Sequence, residues 1–189
     1  FAKKNKMKVL FDVAASHDPK IFKFKKDPNM HFCFSFNGNK TLTAGSGGVF
    51  SSNSTSIAKR VKILANVGKS VSNYDYVDVG YNYRMSNVQA AIVLAQLKNI
   101  NKILKKKKKL FQNYEKKLKF GQKIRMMKNT NCINWVFFLI LDNKKNFLRL
   151  KKKFDENKIQ LNYFWKPLHN QKPYKSFLKT KMSFSSFIW

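Results

Sequence analysis

The chain has 189 residues, of which 43% are hydrophobic, and its formal net charge at pH 7 is +30. This length and hydrophobic content allow a packed core in one domain or in parts of two, and they exclude a wholly disordered chain. The charge by itself indicates a nucleic acid or an anionic membrane as partner. However, the basic residues are spread along the whole chain, and arginine, which base readout favours, occurs only at Arg60, Arg84, Arg125 and Arg149. We therefore expect no nucleic-acid partner.

The joint enrichment of Lys, Asn, Phe and Ile is what an A/T-rich coding sequence produces, and it explains the charge without a ligand. Cys33 and Cys132 are too far apart in sequence to suggest a metal cluster or a disulfide framework, which fits a reduced cytoplasm. No stretch approaches the length of a membrane span. Because the chain begins with Phe1 and ends with Trp189, without a polar tail, we expect it to be a fragment of a longer polypeptide.

Three strands are predicted in the first part of the chain. The first covers Val9 to Phe11 and ends in a carboxylate at Asp12, the second covers Phe32 to Phe36, and the third covers Val49 to Ser52. Together they bracket a turn that contains Lys40.

Two helical regions follow. Ser54 is predicted to cap a helix from Thr55 to about Asn66, and Ser86 to cap a longer one that runs to about Lys119 with a break near Asn99 to Asn101. Between them, Ser72 to Tyr83 is predicted to be a loop. The first helix has an inner face of Ile57, Val61 and Leu64; the second has an apolar stripe of Val88, Ile92, Ala95, Leu104, Phe111, Tyr114 and Leu118. The run Lys105 to Lys109 is expected to be a solvated end of that helix rather than a binding patch.

Composition changes over Phe120 to Asn131, which predicts a domain boundary. Beyond it we expect a strand from Trp135 to Leu141, an amphipathic helix from Asn146 to Asn157 and a strand from Ile159 to Phe164. The whole pattern is typical of an α/β or α+β protein.

Lys40 is the residue whose setting differs most from that of the other lysines. It lies in a Gly-flanked turn after a buried strand, and Asp12 ends another strand. A lysine that can hold an aldehyde carbon, opposite a carboxylate that can keep a ring nitrogen protonated, is what a pyridinium cofactor requires. The alternative at this stage is a surface turn lysine and an aspartate that only bonds its own loop.

Five blocks in order extend this argument. They are Asp12-Val13-Ala14-Ala15, Ser35-Phe36-Asn37-Gly38-Asn39-Lys40, Gly45-Ser46-Gly47-Gly48, Gly80-Tyr81-Asn82-Tyr83-Arg84-Met85-Ser86 with Ala90-Ala91 and Gln96-Leu97, and Pro167-Leu168-His169. Together they resemble the DegT/DnrJ/EryC1/StrS family of pyridoxal-phosphate aminotransferases, which act on nucleotide-linked keto sugars.

The resemblance implies a partial type I aminotransferase fold and assigns roles to matching residues. Lys40 resembles the lysine that forms the internal aldimine and moves the proton. Asp12 resembles the acid that pairs with the pyridine nitrogen, and Ser35 matches the hydroxyl that binds the cofactor phosphate. Asn82, with Arg84, resembles the loop that crosses a dimer interface to the partner's cofactor phosphate. The other matching positions are Ala14 and Ala15 at the cofactor and His169 near the sugar nucleotide.

Each role has a structural alternative. Ser35 could bond only its own turn, Asn82 could hold an interface loop, and His169 could be a plain loop residue. Ala15 stands where the family usually has Gln, Glu or another polar residue, so one contact to the cofactor is expected to be lost. His17 and His31 have no partner that the sequence identifies and are expected to be structural.

The resulting hypothesis is a cytoplasmic, homodimeric, pyridoxal 5'-phosphate-dependent aminotransferase without a metal. It moves an amino group from glutamate to a nucleotide-linked 4-keto or 3-keto sugar. Residues 1–120 are expected to be the C-terminal half of the cofactor-binding large domain, and 121–189 an incomplete small domain. The alternatives are a truncated, inactive remnant and a basic nucleic-acid-binding module.

Overall fold

The computed structural model describes residues 1–20, 27–70, 72, 74–118 and 135–177, together with the backbone of 124–126. The chain divides into two compact units, residues 1–113 with 130–135, and residues 114–129 with 136–189. Most of the predicted boundary at 120–131, the predicted helix end at Lys119 and Cys132 lie outside the described residues. That 1–120 and 121–189 are the large and small domains of an aminotransferase stays a prediction.

A three-stranded sheet organises the first unit. Its strands are β1 (Val9–Asp12), β2 (Met30–Ser35) and β3 (Gly48–Ser52), and their order in the sheet is β1-β2-β3. β1 and β2 are parallel, whereas β2 and β3 are antiparallel. Phe32 of β2 is buried and stacks on Phe11 of β1. The three predicted strands are confirmed with small shifts at their ends.

Helix α1 (Thr55–Ala65) begins at the predicted cap, because the Ser54 hydroxyl accepts a hydrogen bond from the Ile57 amide at 3.4 Å. The helix packs against β3. Its predicted inner face, Ile57, Val61 and Leu64, is half-buried. The helix ends at Asn66, where the chain turns sharply.

The long helical region is divided into α2 (Asn87–Leu97) and α3 (Ile100–Lys117), so the predicted break is confirmed. Ser86 and Gln89 form a capping box at the start of α2, each side chain bonding the other's backbone amide. The core of the unit contains Val93 and Ile100 from these helices. Phe36 and Leu42 belong to the same cluster.

One expectation about these helices is wrong, and another holds with one exception. On α2 the predicted stripe does not face the core: Val88 is 71% exposed and Ile92 46% exposed, because the helix turns Val93 and Gln96 toward residues 36–47 instead. On α3 the lysine run is exposed as predicted, except at Lys107. Lys107 is half-buried, burial lowers the pKa of its ammonium group, and Nζ donates a hydrogen bond to the Trp135 carbonyl oxygen at 3.3 Å.

The second unit contains an antiparallel pair of short strands, β4 (Ile124–Met126) and β5 (Leu139–Leu141). Helix α4 (Lys144–Glu156) packs on β5 and is capped by Asn143, whose side chain accepts a hydrogen bond from the Asn146 amide. Two 3₁₀ turns, Leu168–Asn170 and Lys172–Tyr174, follow.

The strand predictions in this unit are only partly right. The segment predicted as a strand from Trp135 to Leu141 forms one only over its last three residues. Ile159 to Phe164 pairs with no described strand; its aromatic side chains are used for packing instead, Tyr163 on Phe147 and Phe164 on Phe138. Within the described residues no helix combines the length and the apolar character that a membrane crossing needs.

Candidate active site

The candidate lysine lies on a tight turn at the end of β2. The backbone amide of Lys40 donates to the Asn37 carbonyl oxygen at 2.9 Å, which closes the turn, and the Asn37 side-chain oxygen accepts from the Gly38 amide at 2.9 Å. The Lys40 side chain is half-buried. The turn therefore holds an amine just beyond the partly buried strand β2.

The candidate carboxylate lies at the same edge of the sheet. Asp12 is the last residue of β1 and is in register with Cys33 of β2, and the Val13 amide continues the ladder by donating to the Cys33 carbonyl oxygen. Because β1 and β2 are parallel, their carboxyl ends meet at one edge. Burial, and then the charge of Asp12, raise the pKa of the Cys33 thiol.

The Asp12 side chain is exposed, and only one of its two carboxylate oxygens accepts a hydrogen bond. Its Oδ1 atom accepts a hydrogen bond from the Ala14 amide at 2.9 Å, whereas Oδ2 has no hydrogen-bond partner among the described residues. No ion pair joins Asp12 to Lys40 within this part of the chain. The carboxylate can therefore accept a proton-bearing ring nitrogen without first breaking a salt bridge. Ala14 is half-buried and Ala15 exposed beside it.

Ser35 ends β2, five residues before Lys40. Its hydroxyl oxygen accepts a hydrogen bond from the Asn37 amide at 3.4 Å. A hydroxyl group can donate as well as accept, so its proton remains able to donate to an anion. Bonding of its own turn and binding of a phosphate are therefore compatible at Ser35.

His17 has a partner that sequence reasoning missed. Its Nε2 atom lies 3.0 Å from the Ser35 carbonyl oxygen, and because a carbonyl can only accept, Nε2 carries the proton. The ring is buried and lies near Phe34 and Phe36, with centroid distances of 6.2 and 5.6 Å. Burial lowers the pKa of His17, and the nearby charges of Lys40 and Lys107 lower it further against the opposing effect of the Ser35 hydrogen bond. The imidazole is thus neutral at pH 7.

Trp135 was also missed, because a single tryptophan at the start of a predicted strand carries no signal of a site. Lys40 Nζ lies 4.0 Å from the centroid of its indole ring. The indole N–H donates to the Asn39 carbonyl oxygen at 2.7 Å. The ring therefore contacts both the turn and the amine that the turn carries.

The segment from Phe36 to Gly47 is fixed to α2. The Gln96 side chain bonds both backbone groups of Thr43, accepting from its amide at 3.1 Å and donating to its carbonyl oxygen at 2.6 Å. At the far end, Gln89 donates to the Ser46 hydroxyl. Gly47 has φ +93, and a Cβ there would lie 2.6 Å from the Met85 sulfur, so glycine is required.

Buried polar atoms without partners concentrate around this segment. Among the described residues there are three: His17 Nδ1, Thr41 Oγ1 and His31 Nε2. The first belongs to the histidine that bonds Ser35, and the second to the neighbour of Lys40. An unpaired buried polar atom costs free energy unless a ligand or water satisfies it. The Lys40 amine, the Ser35 hydroxyl and the Asp12 carboxylate are the kinds of group that a cofactor with a phosphate and a ring nitrogen needs.

Asn82 and Arg84 lie elsewhere in the first unit, beside the end of α1. Asn82 forms a β-bridge with Asn66, and Arg84 Nη1 donates to the Asn66 side-chain oxygen at 3.5 Å. The backbone is crowded here, since a Cβ on Gly68, with φ +78, would clash with the Asp78 carbonyl oxygen. Both Asn82 and Arg84 are exposed.

A cavity of about 370 Å³ opens next to this bridge. It is lined by Lys62, Asn66, Lys69, Ser70 and Arg84, three of which are cations and none of which is an acid. Lys69 is oriented by two rings, with Nζ 4.6 Å from the Tyr74 centroid and 5.4 Å from that of Tyr76. We call this the basic cavity.

The structure thus brings together some of the predicted residues and leaves others apart. Asp12, Ser35 and Lys40, with Ala14 and Ala15, belong to one edge of the sheet. Asn82 and Arg84 belong to the loop of the basic cavity. His169 is half-buried on a 3₁₀ turn of the second unit, and its role at a sugar site stays a prediction.

Comparison with known proteins identifies the class. The fold matches that of Streptomyces venezuelae DesV, solved with a ketimine intermediate, with a TM-score of 0.78 and 20% identity over 96% of this chain and 50% of that one. It also matches the sugar aminotransferase Spr1654 of Streptococcus pneumoniae in its PLP form, with a TM-score of 0.68 and 21% identity over 77% of this chain and 40% of that one. The structure is a mixed α/β portion of the aminotransferase fold of these proteins.

Sequence comparison gives the family. The model of the DegT/DnrJ/EryC1/StrS aminotransferase family matches residues 1–186, and the chain belongs to that family. GDP-perosamine synthase of Vibrio cholerae is 36% identical over 148 residues, which are 75% of this chain and 40% of that enzyme. The chain therefore spans half or less of the relatives described here. The predicted family membership and fold class are confirmed.

Proposed function

We propose that this chain supplies the active-site lysine of an aminotransferase that transfers an amino group from glutamate to a nucleotide-linked 4-keto or 3-keto sugar. The observation that carries the proposal is that Asp12, at the end of β1, and the Ser35–Lys40 turn, at the end of β2, lie at the same edge of a parallel strand pair. This topology lets a carboxylate and an amine approach one cofactor from two strands. Membership of an aminotransferase family supports the same reading.

In this proposal the cofactor is pyridoxal 5'-phosphate, which when bound supplies an electron-accepting pyridinium ring. Lys40 would hold it through Nζ and, when free, would move the proton. Asp12 would keep the ring nitrogen protonated, and the Ser35 hydroxyl would donate to the phosphate. The hydrogen bond from His17 to the Ser35 carbonyl oxygen helps to hold the end of β2 in position.

The nucleotide-linked substrate is proposed from two observations. One is the name of the relative GDP-perosamine synthase, which links that enzyme to a nucleotide sugar. The other is the basic cavity, where Lys62, Lys69 and the Ser70 hydroxyl suit the oxygens of a phosphate or diphosphate. A role for His169 beside the sugar is part of the proposal.

We further propose a cytoplasmic homodimer in which the loop of Asn82 and Arg84 reaches the partner's cofactor phosphate. Both side chains are exposed in the single chain, as such a role requires. Residues 1–120 would then belong to the cofactor-binding domain and 121–189 to the small domain.

The test is covalent capture of the cofactor. The chain is incubated with pyridoxal 5'-phosphate, the Schiff base is reduced with borohydride, and the modified lysine is identified by mass spectrometry. We expect Lys40 to be modified ahead of the other lysines, and the visible absorbance of the Schiff base to disappear in Lys40→Ala.

The matched control is Lys102→Ala, which removes an exposed lysine of α3 and the same charge. It should leave the absorbance unchanged. Equal labelling of all lysines, or equal absorbance in Lys40→Ala and the wild type, would overturn the assignment of Lys40.

A further inference from the structure

Trp135 makes three contacts that converge on the candidate lysine. Its ring centroid is 4.0 Å from Lys40 Nζ, its indole N–H donates to the Asn39 carbonyl oxygen at 2.7 Å, and its own carbonyl oxygen accepts from Lys107 Nζ at 3.3 Å. All four residues belong to the first unit. We call this arrangement the tryptophan clasp.

The clasp fixes the ring from both sides. The bond to Asn39 ties the indole edge to the Lys40 turn, and the bond from Lys107 ties the Trp135 backbone to α3. Lys107 is itself half-buried, and burial lowers the pKa of its ammonium group, so this lysine is a packed part of the structure rather than a solvated side chain. The ring therefore presents a fixed face to Nζ of Lys40.

A face at this distance does two things to an amine. It attracts the ammonium form through the ring quadrupole, by about 0.5–2 kcal/mol depending on solvation. It also occupies one side of the nitrogen, because 4.0 Å between Nζ and the centroid leaves no room for another atom between them.

We propose that Trp135 is a positioning residue for Lys40: it holds the ammonium group in the cofactor-free chain, and Lys40 must leave the ring before it can react with an aldehyde. In that reaction Nζ loses a proton to solvent and adds to the carbonyl carbon. The C=N bond then forms as the C=O bond breaks, and the oxygen leaves as water. The link of this device to catalysis rests on the proposed function, whereas the device itself does not.

The experiment measures the reactivity of Lys40 toward a small aldehyde. The chain is treated with formaldehyde and an amine–borane, which delivers hydride to the C=N bond and leaves an N-methyl group. Methylation of each lysine is followed with time by mass spectrometry. We expect Trp135→Leu to accelerate methylation of Lys40 by about 2- to 30-fold, the factor that corresponds to the loss of the cation–π attraction.

Two controls separate the clasp from general effects. Trp165→Leu removes an exposed tryptophan that packs edge-to-face against Phe164 in the second unit, and it should leave the Lys40 rate unchanged. Lys69, which lies over Tyr74 and Tyr76, should react at the same rate in all variants. An unchanged Lys40 rate in Trp135→Leu, or the same acceleration in Trp165→Leu, would overturn the proposal.

A second measurement needs no variant, and it tests the clasp even if Trp135→Leu fails to fold. The methyl groups introduced on Lys40 with ¹³C-formaldehyde are observed by NMR. A nitrogen substituent close to an indole face is shifted by the ring current, so we expect a Lys40 resonance displaced upfield from that of exposed lysines such as Lys102. A Lys40 resonance at the exposed position would contradict the clasp.

A third arm distinguishes failure of this proposal from failure of the proposed function. The labelling is repeated with pyridoxal 5'-phosphate in place of formaldehyde. If Trp135→Leu accelerates formaldehyde labelling of Lys40 while pyridoxal phosphate labels all lysines equally, the clasp stands and the cofactor assignment fails. If pyridoxal phosphate labels Lys40 selectively, and Trp135→Leu changes the Lys40 rate with neither pyridoxal phosphate nor formaldehyde, the cofactor assignment stands and the clasp fails.

Discussion

His17 donates a hydrogen bond from Nε2 to the carbonyl oxygen of Ser35 at 3.0 Å, and it thereby connects the segment after β1 to the end of β2. The ring is buried beside two phenylalanines, yet Nδ1 has no hydrogen-bond partner among the described residues. Two cations, Lys40 and Lys107, are close enough to influence its protonation. The pKa of His17 therefore depends on the charge at the candidate site.

The first prediction concerns pH. Burial, Lys40 and Lys107 lower the pKa of His17 in the folded chain below 6.5, the ordinary value that applies when the chain is unfolded. As the pH falls below that value, the unfolded chain takes up the proton first, so the free energy of unfolding decreases. The loss ends once the pH is below the folded pKa. Urea titrations between pH 7.5 and about pH 5 should show this decrease.

The control for this prediction is His17→Phe, which keeps a ring in the same place and cannot titrate. The fall in stability over this range should become smaller in the variant, although removal of the bond to Ser35 should lower its stability at pH 7.5 by about 1 kcal/mol. An identical pH profile in the two proteins would mean that His17 is not the group responsible.

A second prediction concerns the fixation of the Lys40 segment to α2. Gln96→Leu leaves the amide and carbonyl groups of Thr43 without their side-chain partner in a half-buried place. We expect a loss of about 2 kcal/mol in the free energy of unfolding, together with faster hydrogen exchange of the Thr43 amide. Gln112→Leu, an exposed site on α3, should change neither quantity. Unchanged exchange at Thr43 would contradict the role of Gln96.

The third prediction concerns the start of α2. Ser86→Ala removes one half of the capping box and should cost about 1 kcal/mol, measured by thermal or urea unfolding. Because Ser86 and Gln89 cap each other, the double variant Ser86→Ala/Gln89→Ala should lose less than the sum of the single variants. Ser72→Ala, in an exposed loop, serves as the control and should lie within about 0.5 kcal/mol of the wild type. Strict additivity would mean that the two side chains act independently.

The sequence predicted the elements that local signals define. Caps at Ser54 and Ser86 and the helix break after Leu97 were readable because capping and breaking depend on residues within a few positions. The buried face of α2 could not be predicted from the sequence, because this helix is apolar almost all round. Only the contact of Val93 and Gln96 with residues 36–47 determines which side is buried. Long-range packing decides such cases.

The candidate site divides in the same way. Asp12, Ser35 and Lys40 could be predicted to lie at one edge of the sheet, because short motifs at strand ends carry them; their roles stay predictions. Trp135 and His17 were missed, since their partners lie 96 and 18 residues away in sequence and no periodicity links them. The inward turn of Lys107 was hidden inside a run of five lysines, where composition masks the one side chain that packs.

The last prediction tests the basic cavity with an anion. Three cations without an acid in the lining repel one another, and a diphosphate would relieve that repulsion while accepting hydrogen bonds from Lys62, Lys69 and Arg84. We expect pyrophosphate to bind to the wild-type chain and Lys62→Gln/Lys69→Gln to weaken the binding by about tenfold or more, which corresponds to about 1.4 kcal/mol or more. Isothermal titration at constant ionic strength gives the affinity. The double variant Lys152→Gln/Lys153→Gln removes the same charge from the exposed side of α4 and should bind as the wild type does. Equal weakening in both variants would mean that the overall charge of the chain, and not the cavity, attracts the anion.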